Sequence, residues 1–384
     1  MREIHLVRPE DAQAMAKLRA AAFSIPATPD RMKLFDFEMP GVYEDGKLQA
    51  IIGIRPYECR WDKTYLPALG ISSVATLPLA RRGGMIRDLF GELDRLSVER
   101  GWAFGLLYPF SYLYYRQFGY EQILPRFSLT VPFDALTAFP RNTDGELYDG
   151  SQKEALLALY HRYADMHNLM ARRTDNVHWR AEPGEELEYT YMHRDRDGEF
   201  DAYAIVQYQK EAMDVTELVF TSPEALQGII GMLRLFEGQR KALCFKRLPE
   251  RSPVWELMRE YKVCTRSYTN GAMGRVLNTQ KLLETHTWPR ERGHFTLRVE
   301  DPLPGCAGTY EVEYEKGAAR VIRTDGEGGI TMQAPALARV LLSGAGYGAE
   351  ELAWLPGVQV QRPEDAADLA RAFPRRSAEL TENF

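Results

Sequence analysis

Along "MIRDLFGELDRLSVERG", apolar residues return every three or four positions. Met85, Ile86, Leu89, Phe90, Leu93 and Leu96 share one face, which predicts an amphipathic helix ended by Gly101. The neighbouring stretches keep other rhythms. Ala14, Met15, Leu18 and Ala22 are at helical spacing behind Asp11, a candidate cap for a helix running to Phe23. "GVYEDGKLQAIIGIRPYECRW" reads as a hairpin turning at Asp45-Gly46. "LGISSVATLP" is a strand stopped by Pro78, and "WAFGLLYPF" is a mostly apolar, buried strand. A short helix through "SYLYYRQFGY" and a strand at "RFSLTVPF" follow. Strands and helices in this order predict an α/β layer around a central sheet.

A second segment starts near Asp149. Ser151 and Glu154 have capping-box spacing ahead of "ALLALYHRYADM". A hairpin is expected at Asp197-Gly198, then the strand "DVTELVF", then a helix from Pro223 capped by Ser222. Its strand-then-helix order is like that of the first segment and suggests a structural duplication. After "KLLETHTWPRERG" the pattern changes again. Three antiparallel strand candidates, "HFTLRVED", "TYEVEYEKG" and "AARVIRT", precede the helices "APALARVLLSG" and "EDAADLARAF". That order suggests an α+β unit, ended by Pro374 and a ten-residue tail.

Composition narrows the classes. A chain of 384 residues suits two or three domains, and its formal net charge of −6 argues against a nucleic-acid binder. No apolar run is long enough to span a membrane, and the N-terminus lacks the apolar core of a signal peptide. Cys59, Cys244, Cys264 and Cys306 form no CxxC pair, so a reducing cytoplasm is the simplest setting. The seven histidines are dispersed, and no metal site is expected.

The sharpest chemical signal is "SSVATLPLARRGGMIRDLF". A strand ends, then two arginines and two glycines lead straight into a helix. A helix start offers unpaired N–H groups and the positive end of the dipole, which suit a phosphate. The glycines let the backbone approach an anion closely. The spacing is neither that of a nucleoside-triphosphate loop nor that of a dinucleotide loop. A diphosphate-bearing ligand is one reading, and a basic turn before a glycine-marked helix start is the other.

The later "YYRQFGY" adds a second motif in order. Arg81-Arg-Gly-Gly84-Met-Ile86 resembles the acetyl-CoA pyrophosphate loop of the GCN5-related N-acetyltransferases (GNAT), and "YYRQFGY" resembles their F-Y-x-x-x-G-[FY] segment. Within that superfamily the chain is similar to the enhanced intracellular survival (Eis) family. The features carrying this are "VATLP", "RRGGMIR", "PFSYLYYRQFGYE", an "LLE" late in the middle segment and an aromatic last residue. The resemblance implies two tandem GNAT-like mixed-sheet domains, α/β in class, followed by a sterol-carrier-protein-like α+β domain. The expected boundaries are 1–148 for the catalytic domain, 149–287 for a degenerate second copy and 288–384 for the third. A homohexamer is the assembly implied.

It also implies roles. Val74, Ala75 and Thr76 would pair with the pantetheine amides by strand addition. Arg82, Gly83, Gly84, Met85, Ile86 and Arg87 would cradle the pyrophosphate, and Ser111 would approach the acetyl end. Gly83 stands where the family often has a third basic residue. Tyr115 would be the general acid, since a phenol of pKa about 10 holds its proton at neutral pH. Tyr112, Tyr114 and Tyr120 crowd the same segment, so plain packing is the alternative. The C-terminal carboxylate of Phe384 would be the base. Phe23, Phe35, Asp36 and Glu38 would line the acceptor cleft, or else pack in the core. Relatives carry an acidic residue beside the terminal aromatic; here that position is Asn383, with Glu382 before it. Glu382 is therefore the acidic candidate for acceptor binding.

The activity implied is acetyl transfer from acetyl-CoA, a co-substrate, to a primary amine: a polyamine, an aminoglycoside or a lysine side chain. A different class, a non-catalytic acyl-CoA or lipid binder using the third domain, is the competing reading.

Overall fold

The computed structural model describes residues 2–24, 38–174 and 188–382. These fall into two units, the first comprising residues up to 123 and 272–378, the second 124–271 and 379–382.

The first unit opens with β1 (Arg2–Leu6) and α1 (Ala12–Phe23). Asp11 precedes α1 as expected but does not cap it through its side chain. Its carboxylate instead accepts from the Tyr43 hydroxyl at 2.8 Å and from Arg8 at 3.0 Å. β2 (Pro40–Glu44) and β3 (Lys47–Trp61) form the predicted hairpin, with Asp45 and Gly46 at φ 49° and 74°. Positive φ at both central residues gives the turn a twist that matches the strands. β4 (Thr64–Thr76) follows, then α2 (Met85–Arg100), β5 (Phe104–Leu107) and α3 (Tyr112–Arg116). The strand order is β1-β2-β3-β4-β5, with β4 and β5 parallel and joined through α2. Met15, Leu18, Tyr43, Leu48, Ile51 and Ala75 form a core cluster between α1 and the sheet. All six predicted apolar positions of α2 are buried.

β6 (Glu121–Pro132) runs on into the second unit, which adds β7 (Gly145–Leu147), α4 (Lys153–Ala164), β8 (Glu188–Arg194), β9 (Phe200–Tyr208) and β10 (Ala212–Phe220). α5 (Pro223–Leu233), β11 (Ala242–Pro249) and α6 (Pro253–Glu256) complete it. The expected capping box does not form. Gln152 occupies the cap position without a side-chain bond to the helix, while the Ser151 N–H donates to Asp149 Oδ1. The strand order is β6-β11-β10-β9-β8-β7, with β10 and β11 parallel. Thus β10–α5–β11 repeats the strand–helix–parallel-strand order of β4–α2–β5.

β12 (Thr265–Val276) returns to the first unit, where Met273–Val276 pairs antiparallel with β5. α7 (Thr279–Thr285) follows, its start capped by Asn278. β13 (Gly293–Glu300), β14 (Gly308–Glu315) and β15 (Ala318–Thr324) are the three predicted antiparallel strands. Two short strands escaped the sequence pattern: β16 (Ile330–Gln333), parallel to β13, and, after α8 (Ala334–Leu342) and α9 (Ala349–Leu352), β17 (Val358–Val360). α10 (Pro363–Ala372) ends the regular structure. The sheet order is β15-β14-β13-β16-β17.

Candidate active site

β4 pairs with β3 along its length, but its ladder with β5 ends at Ile71 and Leu107. From Ser72 to Thr76 the strand continues with β3 on one side only. A register shift between Ile51 and Gly53 and a left-handed Ser73 (φ 50°) bend it at the point of parting. Val74, Ala75 and Thr76 lie on this stretch, so the β5 side of β4 offers backbone groups to an extended, amide-bearing ligand. Ala75 is buried, and Val74 and Thr76 are half-buried.

The strand then feeds the glycine turn. Arg81, Arg82, Gly83 and Gly84 are all exposed. Arg82 has φ 66° and Gly84 φ 81°, and Gly84 is the cap residue of α2. A glycine there supplies no side chain to bond the first N–H groups of the helix, so the donors of Met85, Ile86 and Arg87 face outward. The first-turn acid, Asp88, is engaged by Arg2 at 2.7 Å. The equivalent junction of the second unit is closed. Ser222 caps α5 by accepting from the Ala225 N–H at 3.0 Å, and Pro223 has no N–H to offer. The start of α2 therefore has no side-chain cap, whereas that of α5 has one.

β5 leads to α3, whose cap is Ser111; its hydroxyl accepts from the Tyr114 N–H at 3.3 Å. Four residues on, Tyr115 is 3% exposed. Its ring sits edge-on to Phe110, Tyr114 and Phe90, with centroids 5.4, 5.3 and 6.2 Å away. Burial disfavours the phenolate and pushes the Tyr115 pKa well above its ordinary value. It stays protonated across the working range. Burial also raises Tyr114, opposed by the nearby charge of Arg87, which ties the α2 start to α3 electrostatically.

Beside these elements lies a cleft of about 430 Å³, lined by Arg87, Phe90 and Asp94 of α2, by Arg116–Gly119 and by residues 300–302 and 333–335. Ion pairs of three arginines lie at and beside its walls. Arg275 donates to Asp94 and Asp301 at 2.8 Å each, and Glu121 accepts from Arg116 at 2.8 Å and pairs with Arg339 at 3.0 Å. Arg116 and Glu121 are five positions apart, but the other partners lie far apart in the chain and leave no local sequence signal.

The expected acceptor residues are dispersed. Phe35, Asp36 and Phe384 lie outside the described residues. Phe23 is exposed at the end of α1. Glu38 is engaged by both terminal nitrogens of Arg100, at 2.8 and 2.7 Å. Glu382 is 4% exposed and bonded to buried Arg173 at 2.8 Å, so its carboxylate does not face an acceptor.

Residues 3–123 match the family model of the acetyltransferase (GNAT) domain. No curated protein matches the chain. Three solved structures are similar over all of both chains. A conserved protein of unknown function from Enterococcus faecalis V583 has a TM-score of 0.88 at 19% identity. A GCN5-related N-acetyltransferase from Anabaena variabilis ATCC 29413 has 0.86 at 18%, and Eis1 from Mycobacterium abscessus 0.81 at 16%. At such identities the likeness is one of fold. The matched domain carries the parted strand, the open helix start and the buried tyrosine. Residues 3–123 therefore form a GNAT acetyltransferase domain, and the chain has an Eis-like fold along its whole length.

Proposed function

We propose that the protein is an acetyl-CoA-dependent N-acetyltransferase acting on a primary amine. The observation that carries this is the parting of β4 from β5 beyond Ile71, which leads into an uncapped helix start and lies ahead of a buried, protonated Tyr115. The pantetheine amides add to Val74–Thr76, and the pyrophosphate is received by the N–H groups of Gly83–Arg87 with the charge of Arg82. Ser111, at the start of α3, approaches the acetyl end.

In the reaction the ammonium first loses a proton, and the free amine attacks the thioester carbon. The C–N bond forms, the C–S bond breaks, and the CoA thiolate takes the Tyr115 proton. The ammonium's first proton leaves to solvent, the amide nitrogen gives up its remaining extra proton to the base, and Tyr115 regains from solvent the proton it donated. In this reading that base is the Phe384 carboxylate, acting directly or through a water. A free α-carboxyl has a pKa of about 3.5, so it works by orienting a water and stabilising the developing cation. The products are an N-acetyl amine and CoA.

The test is CoA release from acetyl-CoA with a panel of polyamines, aminoglycosides and lysine peptides. Amine-dependent release with at least one class is expected. Tight lipid binding with no amine-dependent release would overturn the reading in favour of a carrier.

A further inference from the structure

Helix α1 carries a charge on its packed side. Met15 and Leu18 bury against Ile51 of β3 and Ala75 of β4, and Ala22 packs on the same cluster. Arg19 stands four residues after Met15 and three before Ala22, so it belongs to that stripe. It is half-buried, and its Nε is enclosed without a hydrogen-bond partner. Burial and then the charge of Arg55 lower its pKa, and no carboxylate offsets them among the described residues.

Strand pairing puts Arg55 on the same side of the sheet. Ile51 pairs with Ala75, Gly53 with Ser72 and Arg55 with Gly70. Alternate residues of β3 share a face, and paired residues of β4 share it with them. The extra β4 residue at the left-handed Ser73 keeps Ala75 and Ser72 on that one face. Gly53 and Gly70 put no side chain beside Arg55, so the face is low there. Ser72 is 8% exposed, and its Oγ has no hydrogen-bond partner. It is also the first β4 residue past the end of the β5 ladder at Ile71.

Two guanidiniums and a hydroxyl, all donors, thus line the α1 face where β4 parts from β5. A recess lined by one sign of charge draws the opposite ion, and the planar guanidinium fork matches a carboxylate. In the proposed binding mode the donor's phosphates lie at Gly83–Arg87, past the far end of the open stretch, and its acyl end lies toward Ser72. We infer that the acceptor amine carries a carboxylate, and that Arg19 and Arg55 bind it together with the Ser72 hydroxyl. The inference rests on the N-acetyltransferase reading and narrows its substrate class. Of the acceptors considered above, lysine and its peptides carry a carboxylate. Polyamines and aminoglycosides bring further cations to a cationic face.

The test uses the full chain with matched acceptors: lysine against lysinamide, and 4-aminobutanoate against 4-aminobutanamide. CoA release should give a kcat/KM about tenfold or more higher for each carboxylate than for its amide. Arg19→Gln and Arg55→Gln should each cut that ratio about fivefold or more, mainly through KM for the carboxylate, with Arg19→Lys between. Removing one of two like charges relieves repulsion, so Arg19→Gln should melt no lower than the parent, and a fallen ratio is then not unfolding. Equal rates for acid and amide, or Gln variants that slow both alike, would overturn the inference. A higher kcat/KM for 3-aminopropylphosphonate than for 4-aminobutanoate would overturn the carboxylate in favour of a phosphate-like group. If no amine releases CoA, the N-acetyltransferase reading itself fails. Calorimetry with 4-aminobutanoate then tests the recess alone: binding lost in Arg19→Gln upholds it, and binding absent from the parent or kept in the variant overturns it.

Discussion

Phe90 stacks face to face on Phe118, with ring centroids 4.0 Å apart and planes 8° from parallel. Phe90 belongs to the helix that opens at the glycine turn, and Phe118 follows the helix that carries Tyr115. The same Phe90 ring also meets Tyr115 edge-on at 6.2 Å. One side chain thus joins the helix that opens at the glycine turn to the segment that carries Tyr115. Phe90→Leu and Phe118→Leu should each lower Tm by a few degrees, and a double-mutant cycle should return a coupling of about 1 kcal/mol. Turnover should fall more in Phe90→Leu, which also loses the contact with Tyr115. Thermal melts and steady-state rates read both effects.

Tyr115→Phe removes one oxygen from a buried ring and should leave the fold intact. Loss of the proton donor is expected to lower kcat about 10²–10³-fold, with little change in acetyl-CoA affinity. Because burial raises the Tyr115 pKa, the parent should show no alkaline loss of activity from this group below about pH 10. A Phe variant with full turnover, measured by CoA release, would remove Tyr115 from the mechanism.

The open cap of α2 gives a third outcome. Gly84 has φ 81° and nothing within 4 Å of where a Cβ would stand, so Gly84→Ala meets strain but no clash. The left-handed conformation costs alanine about 1–2 kcal/mol. The variant should either melt lower or shift the turn to relieve the strain, and in both cases KM for acetyl-CoA should rise while kcat at saturation changes little. Kinetics at several donor concentrations separate these parameters.

How far the sequence revealed this site depends on the range of the interaction involved. α2 was legible because its six apolar residues keep one period, and the Asp45-Gly46 turn because both residues tolerate positive φ. Short-range chemistry misled at Asp11 and at Ser151, where a tertiary hydroxyl and a local Asp149 turn won over the expected caps. Interactions across long separations left no periodic trace. Arg173 and Glu382 lie 209 positions apart, and Arg275 and Asp94 181 apart. β16 and β17 were missed for a related reason, being only four and three residues long and too short to establish an alternation.

His167 packs on Tyr163 with ring centroids 4.2 Å apart, and burial pushes its pKa down to about 4. A histidine near 6.5 when unfolded and near 4 when folded takes up its proton first in the unfolded chain. Stability from this group is therefore complete above about pH 6.5 and is lost as pH falls toward 4, by up to roughly 3 kcal/mol. His167→Asn should flatten the acid side of the stability profile over that window. Urea midpoints for both proteins at pH 4.5, 5.5 and 7 test this, and parallel profiles would exclude the effect.

Glu379 has the opposite sign. It is buried where Tyr163 donates to it, and desolvation raises its pKa above the ordinary carboxyl value. A carboxyl with a raised folded pKa stabilises fully below its unfolded value, near 4.3, and loses that contribution as pH climbs through the folded value. The tail should then be held more tightly in mild acid than in base. Glu379→Gln keeps an oxygen for Tyr163 and removes the charge, so it mimics the protonated form at every pH. Its Tm should exceed that of the parent at pH 8, and the gap should close toward pH 4. Carboxypeptidase release of Phe384 from the parent should also speed up between pH 6 and 8, after correction for the enzyme's own pH profile, and Glu379→Gln should suppress that rise. A Gln variant that melts below the parent at pH 8 would mean that the charged carboxylate, through Arg126, holds the tail instead.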